Sequence, residues 1–208
     1  MNRADVLGLL RAHRALPLEA NEAAMTVDTI RFVEAHEDCF LRRCLTGHLT
    51  GSAWVVDPAR TQVVLTHHRK LDRWLQLGGH ADGDPDLLAV ALREAQEEAG
   101  LTRLRVLAAA PFDVDRHRIP ARGETPEHWH YDLRFLIEAD PTEPLVVSDE
   151  SHDVAWVPLG EVAGLNPSES MLRMVRKTAC CLSGDGRVLP GNRALKADLE
   201  SMEGLDVS

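Results

Sequence analysis

Apolar side chains recur at helical intervals near both ends of the chain and alternate with polar ones in between. Val6, Leu7, Leu9, Leu10 and Ala12 cluster along one side of a first predicted helix, which Pro17 punctuates. Ala23, Ala24, Val27, Ile30 and Phe32 or Val33 give a partial stripe to a second helix over 19–35. Residues 1–36 thus predict a helical extension with no chemical signature of its own. It is placed to pack on the main domain, to cover an active-site mouth or to mediate dimerisation, with packing as the default.

The texture then changes. "TGSAWVVDPARTQVVLTHHR" predicts two strands joined at Asp57-Pro58. A loop through Gly78-Gly79 follows, then a helix over 85–99, with Pro85 in its first turn and Gly100 at its end. "LRVLAAAPFDVDRHRI" and "HWHYDLRFLIEA" predict further strands around the turn-rich "PARGETPE", and "DVAWVPL" a short one. Ser168 is placed to cap a last helix over 169–182. The expected organisation is a helical extension at 1–36, a main domain at 37–182 and a loosely attached tail at 183–208. Mixed strands and helices indicate an α/β or α+β sandwich.

At 208 residues the chain suits one substantial domain with an appendage, and 44% hydrophobic residues suit a packed core. With 33 acidic against 23 basic side chains the net charge is −10, which argues against nucleic acid or an anionic membrane as partner. A phosphorylated ligand stays open, because a bound divalent cation reverses the local sign. There is no apolar run of the roughly 18–20 residues a membrane span needs, and the charged N-terminus does not read as a signal peptide. Cys39, Cys44, Cys180 and Cys181 match no zinc spacing, so reduced thiols in a cytoplasmic protein are expected.

Glu94, Glu97 and Glu98 share one side of the helix over 85–99, next to an apolar stripe of Leu88, Leu92, Ala95 and Ala99. Like charges so spaced cost a few tenths of a kcal/mol on an exposed helix, on the scale of ~0.2–0.5 per pair. They are either screened by water or used to hold a cation, and oxygen donors suit Mg²⁺ or Mn²⁺.

The stretch from Gly79 to Leu101 resembles the Nudix box, G-x5-E-x7-R-E-U-x-E-E-x-G-U with U a bulky aliphatic. Gly79, Arg93, Glu94, Glu97, Glu98, Gly100 and Leu101 fill its positions in register. Pro85 stands at the first Glu, Ala95 is smaller than usual, and Leu77 replaces a common proline. The resemblance implies an α/β/α sandwich with a mixed sheet, and hydrolysis of a nucleoside diphosphate derivative by metal-activated water. It implies that Glu94, Glu97 and Glu98, with the Gly79 carbonyl, ligate the metal and that Arg93 orients the carboxylates through hydrogen bonds. The family also often places a further carboxylate before a late strand; Glu150 is the best match, with Asp149 and Asp153 as rivals.

Other residues are candidates for binding substrate. "EHWHYDLRF" puts His128, His130, Asp132 and Arg134 on one side of a strand, where the imidazoles can contact phosphate or ribose. Such a histidine pair also suits a cupin-like metal site, but no further ligands at suitable spacing accompany it. Arg69, Lys70 and Arg73 can draw in an anion, His80 follows the glycine pair, and Trp74 is either packing or a stacking platform. A homodimer is compatible with all this. The competing functions are a nucleotide or sugar-nucleotide sensor without turnover, and a prenyl diphosphate isomerase. The isomerase would need a well-placed cysteine, whereas Cys39 and Cys44 precede the core hairpin.

Overall fold

The computed structural model describes residues 1–181. β1 (Gly47–Val56) is buried along its whole length because it lies inside an eight-stranded sheet. β7 (His128–Ala139) runs parallel beside it, from Gly47↔Trp129 to Val56↔Glu138. On the other flank, β4 (Leu77–His80) pairs antiparallel with Thr50 to Ala53, and β2 (Gln62–His68) meets the end of β1 at Val56↔Val63. β3 (Arg73–Leu75) and β8 (Ser151–Pro158) pair with β2, while β5 (Leu104–Val106) and β6 (Asp113–Ile119) pair with β7. One parallel pair among antiparallel ones makes the sheet mixed.

Strand alternation divides the sheet into two chemically different faces. Leu49, Ala53 and Val55 of β1 join Leu133, Phe135 and Ile137 of β7 in one core, into which α3 (Leu87–Ala99) inserts Val90, Ala91, Ala95 and Ala99. The helix comes very close: a Cβ on Gly51 would run into the Leu87 carbonyl and stand 3.1 Å from the Val90 Cβ. On the other face, Trp54 and Leu136 pack with Met171, Met174 and Val175 of α5 (Glu169–Cys181). The Trp54 indole N–H also donates to Thr178 Oγ1 at 2.8 Å. Helices on both faces of a mixed sheet give the expected α/β/α sandwich.

α1 (Arg3–Arg14) starts at a capping box between Asn2 and Asp5, and α2 (Ala20–Ala35) lies against β6. Val6, Leu10, Ile30, Phe32 and Val33 join the α3-side core, and the Phe32 ring stacks on Tyr131 at 4.0 Å. The expected stripes are shifted, since Ala12 and Ala24 are exposed and His13, Glu22, Thr26 and Thr29 are buried. These polar residues find partners: His13 Nε2 lies 2.8 Å from Glu22 Oε1, to which Lys177 Nζ donates at 2.6 Å, and Thr26 and Thr29 donate to the Glu22 and Met25 carbonyls. His13 Nδ1 alone among their side-chain atoms is buried without a partner.

Several elements differ from expectation. The glycine pair lies in a strand, β4, rather than a loop. α3 begins at Leu87, capped by the Asp86 carboxylate on the Ala89 N–H, so Pro85 precedes the helix. Its buried side uses Leu87, Val90 and Ala91, while Leu88 and Leu92 are only half-buried. The stretch expected as one strand over 104–119 is split into β5 and β6, and β3 and the short helix α4 (Val162–Leu165) were not expected. Leu182 and the tail at 183–208 lie outside the described residues. No helix among the described residues is long and apolar enough to cross a membrane.

Candidate active site

Glu98 is 7% exposed, and its carboxylate accepts the Gly78 backbone N–H at 2.8 Å. Glu94, one turn earlier, lies over Gly79. A Cβ at Gly79 would sit 2.5 and 2.6 Å from the two Glu94 carboxylate oxygens, and one at Gly78 would sit 2.7 Å from the Ser52 Cβ. The glycines thus allow the helix carboxylates and β1 to approach β4. Glu97 is exposed. Burial, then the Glu97 charge, raises Glu94 above the usual carboxylate range, with Arg93 opposing. Burial pushes Glu98 up to about 7, against the Gly78 hydrogen bond and reinforced by Glu94 and Glu150.

Arg93 does not hydrogen-bond the carboxylates as expected. Its guanidinium is 3.7 Å from Glu94 Oε1 and 3.8 Å from Asp84 Oδ2, both ion-pair distances. Glu150 is exposed in the turn before β8, and its charge acts on Glu94, Glu98, His68 and His80. Arg69 fastens that turn: its backbone N–H donates to the Glu150 carbonyl at 2.9 Å and its guanidinium to the Ser151 carbonyl at 2.7 Å. Lys70 is exposed and acts on His68. The Asp153 carboxylate accepts its neighbour Val154 N–H, and Trp74 stacks on His67, a packing role.

Gly79 and His80 are consecutive on β4, so they address opposite faces. Gly79 faces Glu94; His80 faces a group of imidazoles. The parallel register sets His48 of β1 beside His130 of β7, and His117 of β6 pairs with His130 from the other side. His48 lies 5.0 Å, centroid to centroid, from His80 and from His128, and 4.8 Å from His130. His48 is 3% exposed with neither ring nitrogen bonded, and His130 Nε2 is also buried without a partner. Ligand atoms of His48, His128 and His130 all lie within 4.8 Å of one another, a set able to hold a metal ion. Burial, then the neighbouring rings and Arg42, brings His48 down to about 4. His80 also falls to about 4, through burial and Arg42, and burial with the surrounding imidazoles depresses His130 strongly. Sequence reasoning singled out His80, His128 and His130 but missed His48 and His117, which come from strands whose pairing no spacing reveals.

Next to the imidazoles lies a buried charge network. Asp132 accepts from Thr50 Oγ1 (2.8 Å), Ser52 Oγ (2.7 Å), Gln76 Nε2 (3.2 Å) and Arg134 Nε (2.8 Å). Arg134 also reaches Asp113 and Asp115, and Arg173 of α5 binds both again. Burial opposes ionisation of Asp115, yet Arg134, His117 and Arg173 outweigh it and hold the carboxyl far below its usual range. Arg42 makes a two-pronged pair with Asp82, both bonds 2.6 Å. Its charge reaches Glu94 on one side and His48 and His80 on the other.

The NUDIX domain family model matches residues 48–176, which span β1 to α5 and include the carboxylate helix. The chain belongs to the Nudix family. Within the Nudix box, the unusual Ala95 and the neighbouring Leu77 are both fully buried, and Pro85 leads into the Asp86 cap. Among solved Nudix-like structures, an Ap4A hydrolase of C. elegans in a binary complex is 19% identical with a TM-score of 0.54, covering 65% of this chain and 98% of that one. A Nudix hydrolase of M. smegmatis, RenU, is 19% identical with a TM-score of 0.50, covering 69% and 91%. At such identities the likeness is one of fold. No curated protein matches the chain.

Proposed function

We propose that this Nudix chain hydrolyses a diphosphate linkage in a nucleoside diphosphate derivative with the help of Mg²⁺ or Mn²⁺. One observation carries the reading: Glu94 and Glu98 converge on the Gly78-Gly79 backbone, largely out of water, and no cationic side chain among the described residues hydrogen-bonds to either. Partly desolvated carboxylates that raise one another's pKa are unfavourable unless a cation joins them.

The donor set fits a hard divalent cation, since Glu94, Glu97, Glu98 and the Gly79 carbonyl offer only oxygen. When bound, such an ion would supply charge neutralisation of the diphosphate and Lewis acidity. The chain's own groups do the rest. The Gly78 N–H fixes one oxygen of Glu98 and leaves its other oxygen free. Arg93 holds Glu94 electrostatically, and Glu150, exposed and acting electrostatically on Glu94 and Glu98, is the proposed proton acceptor. Arg69, bonded to the Glu150 turn, and the exposed Lys70 next to it would draw in an anionic substrate on the Glu150 side, and His80 is the proposed contact from the other sheet face.

The test is a substrate panel of ADP-ribose, dinucleoside polyphosphates, NADH, nucleotide-sugars, oxidised dNTPs and prenyl diphosphates, each with Mg²⁺ or Mn²⁺. Hydrolysis at a diphosphate is expected, abolished by EDTA and lowered at least about a hundredfold in Glu98→Gln. Full activity in both Glu97→Gln and Glu98→Gln refutes the carboxylate assignment, and tight ligand binding without turnover of any member indicates a sensor.

A further inference from the structure

The imidazole group is chemically unlike the carboxylate site. It offers nitrogen donors, lies on the opposite sheet face, and comes from separate strands. His48 stands on β1, and His128 and His130 stand two apart on β7, so strand alternation points both of the latter at the same face. Buried polar atoms without partners are uncommon and costly. Here His48 has two and His130 one, all within a single cluster.

We propose that His48, His128 and His130 form a second metal site, for a transition-series divalent cation of the Zn²⁺ class, separate from the Glu94–Glu98 site. Three features argue for it. The donors are all imidazole, which favours zinc and its neighbours over magnesium or calcium. His128 Nδ1 lies 2.9 Å from the Pro126 carbonyl, which holds the proton on that nitrogen and leaves the Nε2 lone pair for a ligand bond. The ligand nitrogens lie within 4.8 Å of one another, and tetrahedral bonds of ~2.0–2.1 Å place such donors about 3.3 Å apart, so small ring rotations close the set.

An anion is the weaker occupant. Binding phosphate is strongest with positive charge, and a second proton on any of these rings would put that charge about 5 Å from the neighbouring imidazoles, should they be charged too. A cation instead satisfies the lone pairs of His48 and His130 together. His80, at 4.8 Å from His130 in an edge-on arrangement, is a neighbouring imidazole outside the proposed ligand set. The inference is independent of the hydrolase reading.

The test uses full-length protein stripped with a chelator, reloaded with one equivalent of Zn²⁺ or Co²⁺ and desalted. Metal content and X-ray absorption at the metal edge are then measured on the wild type, on Glu94→Gln/Glu98→Gln, and on His48→Phe and His130→Gln. One ion per chain is expected in the wild type and in the double glutamate variant, with a first shell containing about three imidazole nitrogens. That ion should be lost in the histidine variants. An oxygen-only shell, or no retained metal in the wild type, overturns the proposal, as does the same stoichiometry in folded His48→Phe and His130→Gln. Because the wild-type shell is read directly, the test survives a variant that fails to fold.

Discussion

Glu98 on α3 accepts the backbone N–H of Gly78 on β4 at 2.8 Å, so one oxygen of a buried carboxylate is fixed to the strand while the other stays available. Because burial and the neighbouring carboxylates lift Glu98 to about 7, proton and cation compete for the same group near neutral pH.

This competition gives a pH-dependent stability. With no metal, folded Glu98 keeps its proton to a higher pH than an unfolded glutamate does. Its contribution is therefore fully present below the unfolded pKa and is lost as pH rises through about 7. The loss is on the order of 3 kcal/mol. Mn²⁺ should then raise the Tm of chelator-treated protein much more at pH 8 than at pH 5. Equal Tm increments at the two values would show that Glu98 is not a ligand.

Gly79→Ala places a methyl group against the Glu94 carboxylate without backbone strain, since Gly79 has no positive φ. The carboxylate must swing away. Mn²⁺ affinity and turnover should fall at least about tenfold, the lower end seen when a metal ligand's support is disturbed. Gly8→Ala, on an open helix surface, serves as the control and should stabilise by about 0.5–1 kcal/mol. Unchanged Mn²⁺ binding in Gly79→Ala would contradict the placement of Glu94.

Arg173→Met removes one of the two guanidinium groups that neutralise Asp113 and Asp115. Breaking a buried pair on one side should cost about 3–5 kcal/mol in urea unfolding at pH 7. The Asp115 contribution is present above the unfolded pKa and lost only as pH falls through its depressed folded value, so the deficit should shrink in acid. A change below about 1 kcal/mol at pH 7 would mean that the network does not support α5.

Glu150→Gln and Asp153→Asn separate the candidate bases. Glu150 acts electrostatically on Glu94 and Glu98, whereas Asp153 is turned back to its own chain. Turnover should fall about a hundredfold or more in Glu150→Gln, with the acidic limb of the pH profile altered, and stay near wild type in Asp153→Asn. The reverse result would move the role to Asp153.

Much of this was legible in the chain. The box from Gly79 to Leu101 is local, so its helix, its Gly100 cap and its three glutamates could be read by spacing alone. The strand sides of His128 to Phe135 followed from alternation. What escaped depends on pairing between distant segments. The glycine pair has no side chains to show a pattern, so β4 looked like a loop, although it is held by β1. His48 and His117 reach the imidazole group only through sheet register, and a search along the sequence for ligands near His128 could not find them. The burial of Glu22 and His13 could not be read from their own helices, because the compensating Lys177 lies on α5.

The most direct measurement is a crystal structure of the full chain saturated with Mn²⁺, with the ion located by its anomalous scattering. The account predicts an ion bound by Glu94 and Glu98 carboxylate oxygens at about 2.0–2.2 Å, beside the Gly79 carbonyl. Glu94 and Glu98 turned towards solvent, with no manganese between them and Gly79, would contradict it.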